Sequence, residues 1–201
     1  MNGIERIEKA IDSLKVIDYH EEVMKSDSKF ITMKNGHYTL NNGKIIDRES
    51  VVKNVGSGDA TCIFAVTVDK KILLVINPRV VLPTDTKISI EIPAGYIEGN
   101  EDSVIAARRE LEEETGYTTH NIKKIDSYYP ALGISGERID LYLALDCEKT
   151  SSQHLDSDEF LICESVTLEE FEYLLEHQYI MDANARIGYY RYLDCVKKGL
   201  L

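Results

Sequence analysis

The apolar, β-branched run TCIFAVTV at residues 61–68, answered by ILLVIN at 72–77 across the polar triplet DKK, constrains this chain more than any other feature. Such residues fit a buried pleated surface and the triplet turns the chain, so the pair begins a central sheet. With 201 residues, 43 % of them apolar, the chain can build a core around that sheet as one globular domain with a small appendage. Further strands are predicted at ISIEIP (88–93), ending at Pro93, at IKKIDSYY (122–129) and at RIDLYLAL (138–145).

Helices read from caps and spacing. Ile4, Ile7, Ile11 and Leu14 recur at intervals of three and four, which predicts an amphipathic helix from about Ile4. Beyond it, FITM and HYTL flank Asn35-Gly36, a pair that accepts the positive φ of a tight hairpin turn, and Asn42-Gly43 marks another turn nearby. Asp102 or Ser103 can cap a helix that Gly116 terminates. Thr167 and Glu170 spell a capping box, and Asp182 can cap a last helix running towards Val196. The acidic stretch EKTSSQHLDSDE (148–159) reads as a long surface loop.

A net charge of −12 argues against a nucleic-acid partner, since a polyanion is held by clustered Lys and Arg that displace its counterions. Cys62, Cys147, Cys163 and Cys195 form no CxxC pair and read as free thiols. The amino terminus lacks the apolar core of a signal peptide, and no run approaches the ~18 apolar residues of a membrane span. A cytoplasmic protein with no membrane partner is the expectation.

The chemistry concentrates in RRELEEETG. Glu110, Glu113 and Glu114 stand at i, i+3 and i+4, so three carboxylates share one helical face while Glu112 points elsewhere. Like charges this close repel, and they crowd the unfavourable carboxyl end of the helix. Either Arg108, Arg109 and water compensate them on a solvated face, or a divalent cation does.

The surrounding spacing decides between these. GYIEGNEDSVIAARRELEEETGY resembles the Nudix box, Gly-x5-Glu-x7-Arg-Glu-U-x-Glu-Glu-x-Gly-U with U a bulky apolar residue. Gly95, Glu101, Arg109, Glu110, Leu111, Glu113, Glu114 and Gly116 all match, and Tyr117 replaces the usual aliphatic residue. The resemblance implies an α/β class fold, an α/β/α sandwich with a mixed sheet, preceded by a small N-terminal helix and β-hairpin region. It implies that Glu110, Glu113, Glu114 and the Ala94 carbonyl bind Mg2+, with Mn2+ an acceptable substitute. It gives Arg109 and Glu101 the task of holding the loop-helix geometry through an ion pair. Metal would neutralise a diphosphate and acidify a water for attack on phosphorus.

Beyond the box, VINPR, EIPAGYIEG and LGISGERIDLYLA resemble the ADP-ribose and nucleoside-diphosphate-sugar pyrophosphatase branch of the family, although the branch's downstream proline would fall at Leu132 and this chain carries Pro130. The resemblance implies hydrolysis of ADP-ribose to AMP and ribose 5-phosphate, with another ADP- or GDP-sugar, or nucleotide sensing without cleavage, as the alternatives. Arg79 would meet phosphate. Glu159 is the first candidate for the catalytic base and Asp158 the second, with solvated loop acids as the bland reading. Glu137 is either a substrate or metal residue or an ordinary strand-entry acid. Tyr128 and Tyr129 either stack on a base or belong to the core. Residues 1–57 would form the helix and small β region that makes a homodimer, and 58–201 the hydrolase domain.

Overall fold

The computed structural model describes residues 12–13, 16–24, 28–83, 87–155 and 159–201. They divide into two compact units, one running up to Asn54 and including Ala131–Glu137, the other comprising Val55–Pro130 and Arg138–Leu201. Among the described residues no helix is long and apolar enough to cross a membrane. Of the amino-terminal helix expected from Ile4 to Leu14, only Asp12 and Ser13 lie within the described residues, and both are helical.

In the first unit β1 (Val16–Val23), β2 (Ile31–Leu40) and β3 (Ile45–Lys53) pair antiparallel in that order. The first Asn-Gly pair is not a turn. Asn35 and Gly36 lie inside the continuous strand β2, where Gly36 faces Glu21 on β1 and Arg48 on β3. Ladder pairing on both sides outweighs the local turn preference, and the missing side chain has another use. The Tyr38 ring covers Gly36 so closely that a Cβ there would stand 2.4 Å from the Tyr38 hydroxyl. That hydroxyl donates to Glu21 Oε1 at 2.6 Å. The reversal comes at the second pair, where Gly43 takes φ 81° and its N–H donates to the Leu40 carbonyl at 2.9 Å. Within the 131–137 segment of this unit, the Ile134 carbonyl accepts from the Val51 N–H at 2.7 Å.

The second unit holds β4 (Ala60–Thr67), β5 (Ile72–Pro78), β6 (Ile88–Glu91), β7 (Ala94–Tyr96), β8 (Tyr117–Thr118), β9 (Asn121–Tyr128), β10 (Ile139–Lys149) and β11 (Ile162–Val166). Its helices are α1 (Ser103–Thr115), α2 (Leu168–Glu176) and α3 (Ala183–Lys197). The strand order is β11-β5-β4-β10-β8, with β6 beside β5, β7 beside β4 and β9 beside β10. β4 and β10 run parallel and the other pairs antiparallel, so the sheet is mixed.

Every residue of β4 is buried because both faces of the sheet are covered. Cys62, Phe64 and Val66 pack with Leu141, Leu143, Phe171 of α2, and Ala185 and Tyr189 of α3. Ile63 and Ala65 point the other way, to Ala107 and Leu111 of α1 and to Tyr142 and Ala144. Two helices on one face and one on the other make the expected sandwich. Each large side chain fully buried this way contributes roughly 1.5–3 kcal/mol.

The helix ends follow their predicted caps in most places. Thr167 and Glu170 form a reciprocal capping box, and Asp182 accepts from the Ala185 N–H at 2.8 Å. At α1 the Asp102 backbone takes the N-cap position, yet its side chain makes no capping bond. Ser103 is no cap either: its hydroxyl pairs with the Tyr142 hydroxyl at 2.6 Å, fastening the helix start to β10. Gly116 closes α1 in the left-handed conformation at φ 74°.

Candidate active site

Helix α1 presents its acids in graded burial. Glu112 is exposed, Glu113 half-exposed, and Glu110 and Glu114 are 8 % and 4 % exposed. The face carrying the last two packs on the sheet through Ala107 and Leu111, so helix periodicity forces these carboxylates inward beside β7. Glu114 Oε2 accepts from the Ala94 N–H at 2.8 Å. Gly95 has a matching role: a Cβ there would stand 2.0 Å from the Glu110 carboxyl carbon. Only a residue without a side chain lets Glu110 lie against the strand.

Arg109 ties this cluster together. Its Nη1 donates to Glu110 Oε1 at 2.8 Å and to Glu113 Oε2 at 3.0 Å. Its Nη2 donates to the Tyr96 carbonyl at 2.9 Å and to Glu101 Oε1 at 2.8 Å. Glu101 Oε1 also accepts from the Glu98 N–H at 2.8 Å, which fixes the loop between β7 and α1. The Arg109 hydrogen bond holds the Glu101 carboxyl below the usual range. Burial works against the Arg109 charge, but Glu101, Glu110 and Glu113 more than offset it and make the guanidinium still harder to deprotonate.

The remaining charge is not balanced. Burial pushes the Glu110 carboxyl up to about 7, against the pull of Arg109 and with added repulsion from Glu113 and Glu159. Burial also raises Glu114 well above the ordinary value, opposed by the Ala94 N–H and reinforced by Glu110, Glu159 and Glu91. Among the described residues no three His, Cys, Asp or Glu side chains stand in a ready metal-holding arrangement. Arg109 and the Ala94 N–H occupy oxygens of all three glutamates. Two buried carboxylates and a half-exposed third, closely spaced hard oxygen donors, nevertheless fit a small divalent cation in their chemistry.

Glu159 is exposed, and its charge reaches both Glu110 and Glu114. Asp158 lies outside the described residues. Residues ahead of Glu159 grip the end of α1: Gln153 Nε2 donates to the Glu114 carbonyl at 2.6 Å, and the His154 N–H to the Glu113 carbonyl at 2.8 Å. The Gly116 carbonyl accepts from the Thr150 and Ser151 N–H groups at 2.9 and 3.1 Å. Sequence reading identified the loop but not this clasp, which depends on backbone donors that any residue supplies.

Arg79 makes a two-pronged ion pair with Glu91, Nε to Oε1 and Nη2 to Oε2, both at 2.7 Å. Glu91 was not among the residues singled out in the sequence. Its signal was a lone acid between Ile90 and Ile92 in an otherwise apolar strand end. Glu137 belongs to the first unit, where it accepts from Lys53 Nζ at 2.5 Å. Tyr128 packs against the core and donates to Asn184 Oδ1 at 2.7 Å, whereas Tyr129 is exposed.

The NUDIX domain model matches residues 56–185. The chain is 39 % identical over 145 residues to an ADP-ribose pyrophosphatase of Bacillus subtilis (strain 168), covering 72 % of this chain and 75 % of that protein. It is 32 % identical over 175 residues to a methanol dehydrogenase activator of Bacillus methanolicus, covering 85 % and 91 % of the two chains. A crystal structure of an ADP compounds hydrolase superposes with a TM-score of 0.75 over 93 % of this chain and 96 % of that one, at 19 % identity, a likeness of fold. The matched model spans the carboxylate helix, the glycine strand and the Arg109 clasp: the chain belongs to the Nudix family and is a Nudix pyrophosphohydrolase.

Proposed function

We propose that this protein hydrolyses ADP-ribose to AMP and ribose 5-phosphate with magnesium, manganese being an acceptable substitute. The observation that carries the reading is the pair of buried carboxylates, Glu110 and Glu114, crowded against β7, the first paired with Arg109 and the second held by the Ala94 N–H. The 39 % identity to an ADP-ribose pyrophosphatase supports the substrate.

Glu110, Glu113, Glu114 and the Ala94 carbonyl are the proposed ligands. When bound, magnesium supplies charge neutralisation of the diphosphate and a more acidic water. Arg109 keeps Glu110 and Glu113 oriented and fixes the loop through Glu101. Glu159, whose charge is felt at both buried glutamates, takes the proton of the attacking water on a carboxylate oxygen. Arg79 donates to a phosphate oxygen. Glu137 is proposed to contact substrate after exchanging its Lys53 partner.

The test is a panel of ADP-ribose, ADP- and GDP-sugars, dinucleotide polyphosphates and nucleoside triphosphates, scored for phosphate-containing products with magnesium or manganese. ADP-ribose should give the highest kcat/KM, and preference for a GDP-sugar would move the substrate. Inactivity on every member would leave only nucleotide sensing. Glu159→Gln should cut kcat by about 100-fold with metal affinity retained, the size of a general-base contribution. Normal turnover in that variant would place the base elsewhere. We further propose that residues 1–57 form a dimerisation element joined to a hydrolase domain of residues 58–201, in a cytoplasmic protein; sedimentation of the full chain as a monomer at micromolar concentration would remove the first part.

A further inference from the structure

A buried carboxylate at the end of an apolar strand is costly unless something holds its charge. Glu91, with a side chain 11 % exposed, ends β6 and is held by both Nε and Nη2 of Arg79. Arg79 itself is nearly half-exposed. A guanidinium has five N–H donors and this fork uses two, so three remain for another partner. The pair also lies within the electrostatic reach of the carboxylate helix, because Glu114 acts on Arg79 and Glu91 acts on Glu114. Asp182, the N-cap of α3, feels both members as well.

We propose that Glu91 is a positioning residue which fixes the Arg79 guanidinium as a receptor for the substrate's diphosphate, an assignment that rests on the reaction proposed above. The fork sets the plane of the guanidinium and spends its inner edge on Glu91, leaving the outer edge for phosphate oxygens. A planar bidentate donor already held in one orientation loses little freedom on binding an anion. Lysine in place of Arg79 could neither span both Glu91 oxygens nor keep a second edge free. A purely structural ion pair closing β5 on β6 would give the same fork, and it differs in what its loss does to the substrate.

Arg79→Ala, Glu91→Gln and the double variant separate the two. The measurements are kcat and KM for ADP-ribose, the Kd of inorganic pyrophosphate with magnesium, and thermal melting of the full chain. Arg79→Ala should raise KM and pyrophosphate Kd about tenfold or more, in line with loss of a charge-assisted contact. Glu91→Gln should raise both about threefold to tenfold, and the double variant no further than Arg79→Ala alone, because Glu91 acts only through Arg79. In 15N spectra the Arg79 Nε–H resonance, assigned by its loss in Arg79→Lys, should shift and broaden in Glu91→Gln. Additive effects, or a lower melting temperature with unchanged KM and Kd in Glu91→Gln, would overturn the proposal. If no diphosphate is turned over, the proposed reaction fails while the pyrophosphate Kd series still decides the role of Glu91.

Discussion

Replacing Gly95 with alanine adds a single methyl at the tightest point of the site. The new Cβ would stand 2.0 Å from both the carboxyl carbon and Oε1 of Glu110, where ordinary contact begins at 3.4 Å. The backbone at Gly95 is regular strand with no positive φ, so alanine brings no conformational strain and the displacement falls on the side chain. Glu110 must therefore retreat by about 1.4 Å, the difference between those two distances. In doing so it gives up or lengthens its 2.8 Å bond to Arg109. One such bond is worth about 1–3 kcal/mol, and in a domain of this size each 1 kcal/mol moves the melting point by roughly 2–4 °C. The catalytic loss should be greater, because misplacing a reacting group by about 1 Å costs on the order of 100-fold, or about 2.7 kcal/mol in the barrier. Product release from ADP-ribose under saturating magnesium, beside a thermal melt of the same sample, measures both. Gly95→Ala with full turnover and an unchanged melt would refute the argument that Glu110 needs this space.

Glu114→Gln should cut turnover by about 100-fold or more, as for loss of a preorganised charge, while stability changes by less than about 1 kcal/mol. The amide oxygen still accepts from the Ala94 N–H and a buried charge disappears, so a large drop in melting temperature with normal turnover would contradict this. Gly116→Ala combines a φ of +74° with a Cβ 2.3 Å from the Ser151 carbonyl, so it should destabilise by at least about 2 kcal/mol in urea; a neutral result would mean that the clasp on α1 gives way easily. Cys62 and Cys147, both fully buried and pushed up to about 12 by desolvation, should resist a thiol reagent at pH 8 until the chain unfolds. Because the unfolded thiols ionise near 9, these residues stabilise the fold fully below that pH. Stability should then fall as pH rises from about 9 to 12, and rapid native-state labelling would show that they are accessible.

Much of the second unit was written in local sequence. TCIFAVTV and ILLVIN became β4 and β5 because an unbroken apolar run has few homes other than a sheet covered on both faces. The capping box at Thr167 and the cap at Asp182 held because their partners lie within one helical turn. Glu110 and Glu114 came out buried, with Glu113 half-exposed beside them, because helix periodicity turns positions i and i+4 to the same side. What was illegible depends on partners distant in sequence. Asn35-Gly36 has strong turn chemistry, yet neighbouring strands on both sides and the Tyr38 ring hold it extended. Glu91 stands in the EIPAG motif, but its partner Arg79 lies 12 residues away, just past the end of β5. The Ser103 hydroxyl could cap a helix locally but found Tyr142 on β10 instead.

The parallel ladder between β4 and β10 also fixes when the site can come into being. Ile139 pairs with Ala60, and β5, β6, β7, the whole of α1, β8 and β9 lie between them in the chain. Closing a loop of that length costs chain entropy before the ladder returns any of it, which makes this pairing a slow step relative to the local hairpins. The sheet surface that receives Ala107 and Leu111 includes Tyr142 and Ala144 of β10, so α1 has no complete bed until that strand arrives. A growing chain halted before Ile139 holds every box glutamate, Arg109 and the Ala94 N–H, but lacks the Tyr142 and Ala144 part of the surface on which α1 rests. Activity should therefore appear late in refolding, after the helical signal has largely recovered.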